Sequence, residues 1–267
     1  MPVPFSDRVG QDARDFSVHD SVDLRCLIQR CLDERLAGEL THQSGEASAN
    51  ICVYHGYVAW ARCTTHPQHL GDVLSRECGL PLQDLYRALK YCRERGLRLG
   101  EGLMELDLVS IDDLSACLRL HVVRHLMHCL RSARHGGLWA WQPRSYRYDE
   151  RLIFGLPDLL GQGVLDVCVS GFPSLRYAGL HNFTPPEVLL ETNPNTDIDG
   201  LLAFAERTRD QGSGVEVVGQ YASAPEASYY AHRIPWERDQ LLLVMAGPKA
   251  RGALGHFLGH AHKLLGD

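Results

Sequence analysis

The chain has 267 residues, a formal net charge of -6 and 45% hydrophobic residues, which is ordinary for a globular protein and enough for about two domains. Neither half is net basic, which argues against a dedicated nucleic-acid binder with its basic face. No apolar run reaches the roughly 18 residues that a membrane span needs, and Met1–Arg8 lacks the basic-then-apolar pattern of a signal peptide, so no membrane span and a cytoplasmic location are expected.

Residues 1–19 are polar, with Pro, Gly and Asp, and read as a flexible lead-in. Helical periodicity begins near Val22, with Leu24, Leu27, Ile28, Cys31 and Leu32 on one face, and ends near Ala37-Gly38. Ala49–Tyr54 reads as a strand, His55-Gly56 as a tight turn and Tyr57–Ala61 as the returning strand.

An internal repeat follows. Leu70-Gly71-Asp72-Val73-Leu74 opens one copy and Leu99-Gly100-Glu101-Gly102-Leu103 opens the next, 29 residues later. Each copy is a short helix, a turn and a longer amphipathic helix, and the two should pack together because neither buries its apolar face alone. Ser110 followed by Asp113 is a capping-box-like start. A helix runs on to Ala133, His135-Gly136-Gly137 stops it, and Leu138–Trp141 alternates as a strand. Gly161-Gln162-Gly163 reads as a linker.

Beyond it, Leu175–Leu180 reads as a strand, Thr184-Pro185-Pro186-Glu187 as a helix start, and Asp199–Arg209 as a helix. Val215–Tyr221, Ser228–Ile234 and Gln240–Ala246 read as strands, the last as a central one because its apolar run is nearly continuous. Ala250–Leu265 reads as a terminal amphipathic helix. The fold class expected is α+β with antiparallel sheets.

Three stretches resemble known families. Gly38-Glu39-Leu40, His55–Ala61 and Gly137-Leu138-Trp139-Ala140-Trp141 resemble the PatA-like N-terminal domain, a bacterial domain of unknown function. The repeat is similar to the N-terminal helical domain of type II secretion and type IV pilus ATPases, at Arg98-Leu99-Gly100, Leu103, Leu108, Leu114 and Leu118. Tandem copies in that family can bind cyclic di-GMP, so the resemblance places Arg98, Leu99 and Gly100 at a ligand. The first copy departs from the pattern, with His69 in place of Arg and Cys92 in place of Gln. The second has Asp107 for Gly and His121 for Gln. A planar guanidinium stacks on guanine and forks onto phosphate as His does not. Residues 161–267 look like a roadblock (dynein light chain) domain, most closely at Leu241–Gly252. That resemblance implies a last central strand followed by a C-terminal helix, dimers with a continuous sheet, and binding to small Ras-like GTPases.

Motifs of catalysis are scarce. The chain has no Walker P-loop and no G-x-S-x-G elbow. Its nine cysteines contain no C-x-x-C pair and read as small core residues. His121, His125 and His128 share one helical face, but one helix cannot supply a tetrahedral ligand set and the sequence places no second group, so no metal is expected. His256 and His260 have zinc-protease spacing without the Glu that would act as base. Trp139 and Trp141 point to one side of a strand, either into the core or as anchors at an interface. Tyr229, Tyr230 and Trp236 pose the same choice.

The sequence therefore predicts a lead-in at 1–19 and a PatA-like meander domain at 20–160 with a helical repeat inserted at about 69–134. A roadblock-like α/β sandwich with an antiparallel sheet follows at 161–267. The expected function is that of a non-enzymatic bacterial signalling scaffold without cofactors. It is expected to form a homodimer and bind a small Ras-like GTPase or another roadblock protein. A cyclic di-GMP receptor is the alternative.

Overall fold

The computed structural model describes residues 14–133, 135–145, 148–171, 175–183, 186–211, 220–223, 228–233 and 240–247. The chain splits into two compact units, Met1–Leu159 and Leu160–Asp267. The α+β class with antiparallel sheets holds for both. No helix among the described residues is long and apolar enough to cross a membrane.

In the first unit, β1 (Arg14–Val18), β2 (Ala37–Ser44), β3 (Ala47–Tyr54), β4 (Tyr57–Cys63) and β5 (Gly137–Pro143) form one sheet in the order β1-β5-β2-β3-β4. Residues 14–18 are thus an edge strand rather than part of a lead-in. Phe16 and Val18 are buried, and Phe16 pairs with Trp139, so the alternating apolar pair repays ordering the segment. Residues 1–13 lie outside the described residues.

Helix α1 (Ser21–Asp33) is capped by Asp20, whose carboxylate accepts from the Val22 and Asp23 N–H groups at 2.9 Å. Its buried face is Ser21, Leu24, Leu27, Ile28, Cys31 and Leu32. The helix stops earlier than its periodicity indicates, because Arg35 turns left-handed at φ 52° and Ala37 already opens β2. His55 and Gly56 both take positive φ, 51° and 101°, as the two-residue hairpin between β3 and β4 requires.

One row of side chains crosses the sheet: Trp141, Leu40, Ile51 and Ala61 are register partners and are all buried. Gly38 makes room for this row. A Cβ there would lie 2.5 Å from the Gln142 carbonyl oxygen and 2.6 Å from the Trp141 ring.

The repeat emerges from β4 as α2 (Leu70–Glu77), α3 (Leu82–Arg95), α4 (Leu99–Glu105) and α5 (Ile111–Ala133), and the chain re-enters the sheet at β5. Its core pairs residues 29 apart: Leu74 with Leu103, Leu80 with Val109, Leu85 with Leu114, and Ala88 with Cys117. Asp107 departs from the repeat's glycine, yet it takes the left-handed turn at φ 54°, as Gly79 does in the first copy at φ 65°; a short polar side chain tolerates that region.

The Gly161-Gln162-Gly163 segment, next to the division between the two units, is helical rather than an open loop. It lies inside α6 (Leu156–Gly171), where both glycines are buried, at a helix cost of roughly 1 kcal/mol each.

The second unit contains β6 (Leu175–Phe183), β7 (Pro186–Glu191), α7 (Asp199–Gln211), β8 (Gln220–Ser223), β9 (Ser228–Arg233) and β10 (Gln240–Ala246). Its sheet runs β7-β6-β10-β9-β8, all antiparallel, with β10 in the middle. Residues 186–191 are a strand rather than a helix start: Pro186 occupies the first position of an edge strand, where a missing N–H costs no ladder bond. Leu201, Phe204 and Ala205 of α7 pack on Tyr177, Leu243 and Met245 of the sheet. The reading of 250–265 as a helix, and residues 215–219 of the expected 215–221 strand, lie outside the described residues.

Candidate functional site

The repeat's glycines are packing residues. A Cβ on Gly71 would sit 2.7 Å from Leu85 Cδ2, and one on Gly100 would sit 3.1 Å from Leu114 Cδ2. The same glycine-on-leucine contact thus recurs in both copies. Leu99 packs against the repeat core. The Arg98 N–H donates to Glu101 Oε2 at 2.8 Å, and its guanidinium lies 4.8 Å over the Tyr148 ring. The three candidate ligand residues therefore already have intramolecular contacts.

Trp139 and Trp141 are core residues, 2% and 1% exposed, rather than interface anchors. Tyr229 and Tyr230 occupy successive positions of β9, opposite Met245 and Val244 of β10. Trp236, His256 and His260 lie outside the described residues.

The histidine face of α5 meets a second group that the sequence did not place. The end of β4 and the residues just after it bring Cys63, Thr65 and His66 to the His125 and His128 face of α5. The Cys63 N–H donates to His125 Nδ1 at 2.9 Å, so Nε2 carries the ring proton and donates to the Gln68 carbonyl at 2.9 Å. Gln68 is held further by its side-chain bond to Arg124 and by its N–H to His66 Nδ1 at 3.3 Å. The His66 ring lies 4.6 Å from His125 and 5.4 Å from His128.

His121 is different. It is 3% exposed, and neither ring nitrogen has a hydrogen-bond partner. Its ring lies against Trp60 at 4.6 Å and His125 at 4.2 Å. Burial, then the neighbouring His125, holds its pKa down at about 3. Burial also lowers His125 and His66. His121, His125 and His66 are packed together and held toward their neutral forms, and among the described residues no three His, Cys, Asp or Glu side chains are placed to hold a metal ion.

At the far end of the cluster, Cys63 Sγ lies 3.0 Å from Thr65 Oγ1, which lies 2.8 Å from His128 Nε2. Hydrogen bonding with Cys129 pulls the Cys63 pKa down to about 4 against the opposing effect of burial, with Thr65 assisting, and the same contact raises Cys129. By contrast, burial pushes Cys31, Cys52 and Cys117 up to about 12. Cys63, Thr65 and Cys129 line a cavity of about 250 Å³ together with Ser132, Trp139 and His42. His42 is fixed there by donating Nδ1–H to the Leu138 carbonyl at 2.8 Å.

In the second unit, Tyr177 is fully buried. Its hydroxyl donates to Glu191 Oε2 at 3.2 Å and lies 2.7 Å from His181 Nε2. It reaches them across Gly179, where a Cβ would collide with it. At the sheet edge, Val188 and Leu189 of β7 are 46% and 37% exposed.

No protein-family model matches the chain, and no curated protein is found to be similar to it.

Proposed function

We propose that the chain is a non-enzymatic interaction protein whose second unit pairs with another copy through a sheet edge, and that the dimer binds a small Ras-like GTPase or another roadblock protein. The observation that carries this reading is the second unit's five-stranded antiparallel sheet. It ends in β7 and β8, neither of which has a ladder partner on its outer side among the described residues. A free edge presents a row of unpaired N–H and C=O groups, and adding a strand satisfies them. Apolar Val188 and Leu189 on β7 add exposed surface that pairing would cover. The central position of β10 agrees with what the roadblock resemblance implies for the last strand. A second contact surface is available on α3, where Leu82 and Tyr86, one turn apart, are 59% and 69% exposed.

The test is affinity capture with the immobilised full chain, with recovered proteins identified by mass spectrometry. A small GTPase retained through stringent washing, and lost when the second unit is unfolded by a core substitution such as Leu243→Asp, is the expected result. Recovery of no GTPase in either nucleotide state would remove the GTPase from the proposal and leave a scaffold.

A further inference from the structure

We propose that Cys63 and Cys129 form a peroxide-reactive dithiol, with the cavity beside them admitting a small hydroperoxide. Two geometric features converge there: a cavity of about 250 Å³ that both thiols line, and a hydrogen-bonded path from Cys63 through Thr65 to His128. Elsewhere, Cys78 and Cys117 lie 3.1 Å apart, but they sit in the packed core of the repeat and do not line the cavity. Cys31 is sealed in the α1 core.

Thr65 can serve either protonation state. With a neutral thiol, Cys63 S–H donates to Thr65 and Thr65 O–H donates to His128 Nε2. With a thiolate, protonated His128 donates to Thr65 and Thr65 donates to the Cys63 sulfur. The His125 bond to the Cys63 N–H holds the strand end in place. Thr65 is a positioning residue, since it acts through Cys63.

The Cys63 thiolate attacks one oxygen of the hydroperoxide. An S–O bond forms, the O–O bond breaks, and the leaving alkoxide takes a proton from His128 by way of Thr65, giving an alcohol and a sulfenic acid at Cys63. The Cys129 sulfur then attacks the Cys63 sulfur. An S–S bond forms, the S–O bond breaks, and hydroxide leaves as water with the Cys129 proton. Two thiols lose two electrons, and the hydroperoxide gains them. The crosslink would tie β4 to α5, the last helix of the inserted repeat. The pair stands apart from the sheet edges of the second unit, so this inference does not depend on the partner reading.

The experiment uses the reduced full chain, stoichiometric hydrogen peroxide and peptide mass spectrometry after blocking the remaining thiols. A Cys63–Cys129 crosslinked peptide with loss of two hydrogens is expected. In unoxidised wild-type protein at pH 6, iodoacetamide should label Cys63 roughly tenfold or more faster than Cys31 and Cys52, because the thiolate is the nucleophile. In Cys129→Ser, a dimedone-reactive sulfenic acid should accumulate at Cys63. Thr65→Val should move the pH midpoint of Cys63 labelling upward, and Thr65→Ser should restore it. Labelling of Cys63 no faster than of Cys31 and Cys52 in the wild-type chain would overturn the proposal, as would oxidation that crosslinks other cysteines and leaves Cys63 free.

Discussion

Acid should destabilise the first unit, and His121 should account for a definable share. Its imidazole is buried with both nitrogens unpartnered, and its pKa falls from an ordinary 6.5 to about 3 on folding. Between those values the unfolded chain binds a proton that the native chain refuses, so stability falls as pH falls through that window and is fully present above it. At pH 5, 1.5 units below the unfolded pKa, the loss from this one histidine is about 2 kcal/mol. His121→Leu removes the titration and the two unsatisfied nitrogens while keeping an apolar side chain of similar size beside Trp60. Urea unfolding at pH 7 and pH 5 measures the difference, read by tryptophan fluorescence, since Trp60, Trp139 and Trp141 all lie in this unit. The variant should gain about 2 kcal/mol on wild type when the pH is lowered, a relative midpoint shift of about 1 M urea. His66 and His125 keep titrating in both proteins, so the comparison isolates His121. An equal gap between variant and wild type at the two pH values would refute the reasoning.

Gly38→Ala should destabilise the first unit by about 1–3 kcal/mol, because the new methyl meets a backbone carbonyl that cannot step aside; calorimetry showing an unchanged melting temperature would contradict this. Trp141→Ala should cost about 3–5 kcal/mol through the cavity it leaves in the sheet's central row, seen as a lower urea midpoint. Lysine placed on each free edge of the second unit in turn, Val188→Lys on β7 and Ala222→Lys on β8, should weaken self-association in one of the two cases. Sedimentation velocity unaffected by both would remove edge pairing from the account.

The parts of the fold legible in the sequence are those set by local periodicity. Leu24, Leu27, Ile28, Cys31 and Leu32 stand at helical spacing and form the buried face of α1. His55-Gly56 marks the β3–β4 hairpin, and the 29-residue repeat recurs as equivalent core positions. Positions decided by tertiary contact read differently. Phe16 and Val18 are too few to show a strand until Trp139 supplies the pairing partner. Gly161 and Gly163 look like a loop because glycine is a poor helix former, yet both lie buried inside α6. Pro186 suggests a helix start, whereas the edge of a sheet accommodates it equally well.

The site follows the same division. The histidine face of α5 is visible at i, i+4 and i+7, but its partners Cys63, Thr65 and His66 arrive from a segment roughly sixty residues earlier, and only the packing of α5 on β4 joins them. The available signal was a run of Cys, Thr, Thr and His directly after a strand, which composition alone does not distinguish from a polar loop.

Light scattering coupled to size exclusion on the full chain at micromolar concentration tests the central claim most directly. The account predicts a species of twice the mass of one chain, reverting toward a single chain when the pairing edge carries the added lysine. A strict monomer across that concentration range would contradict it.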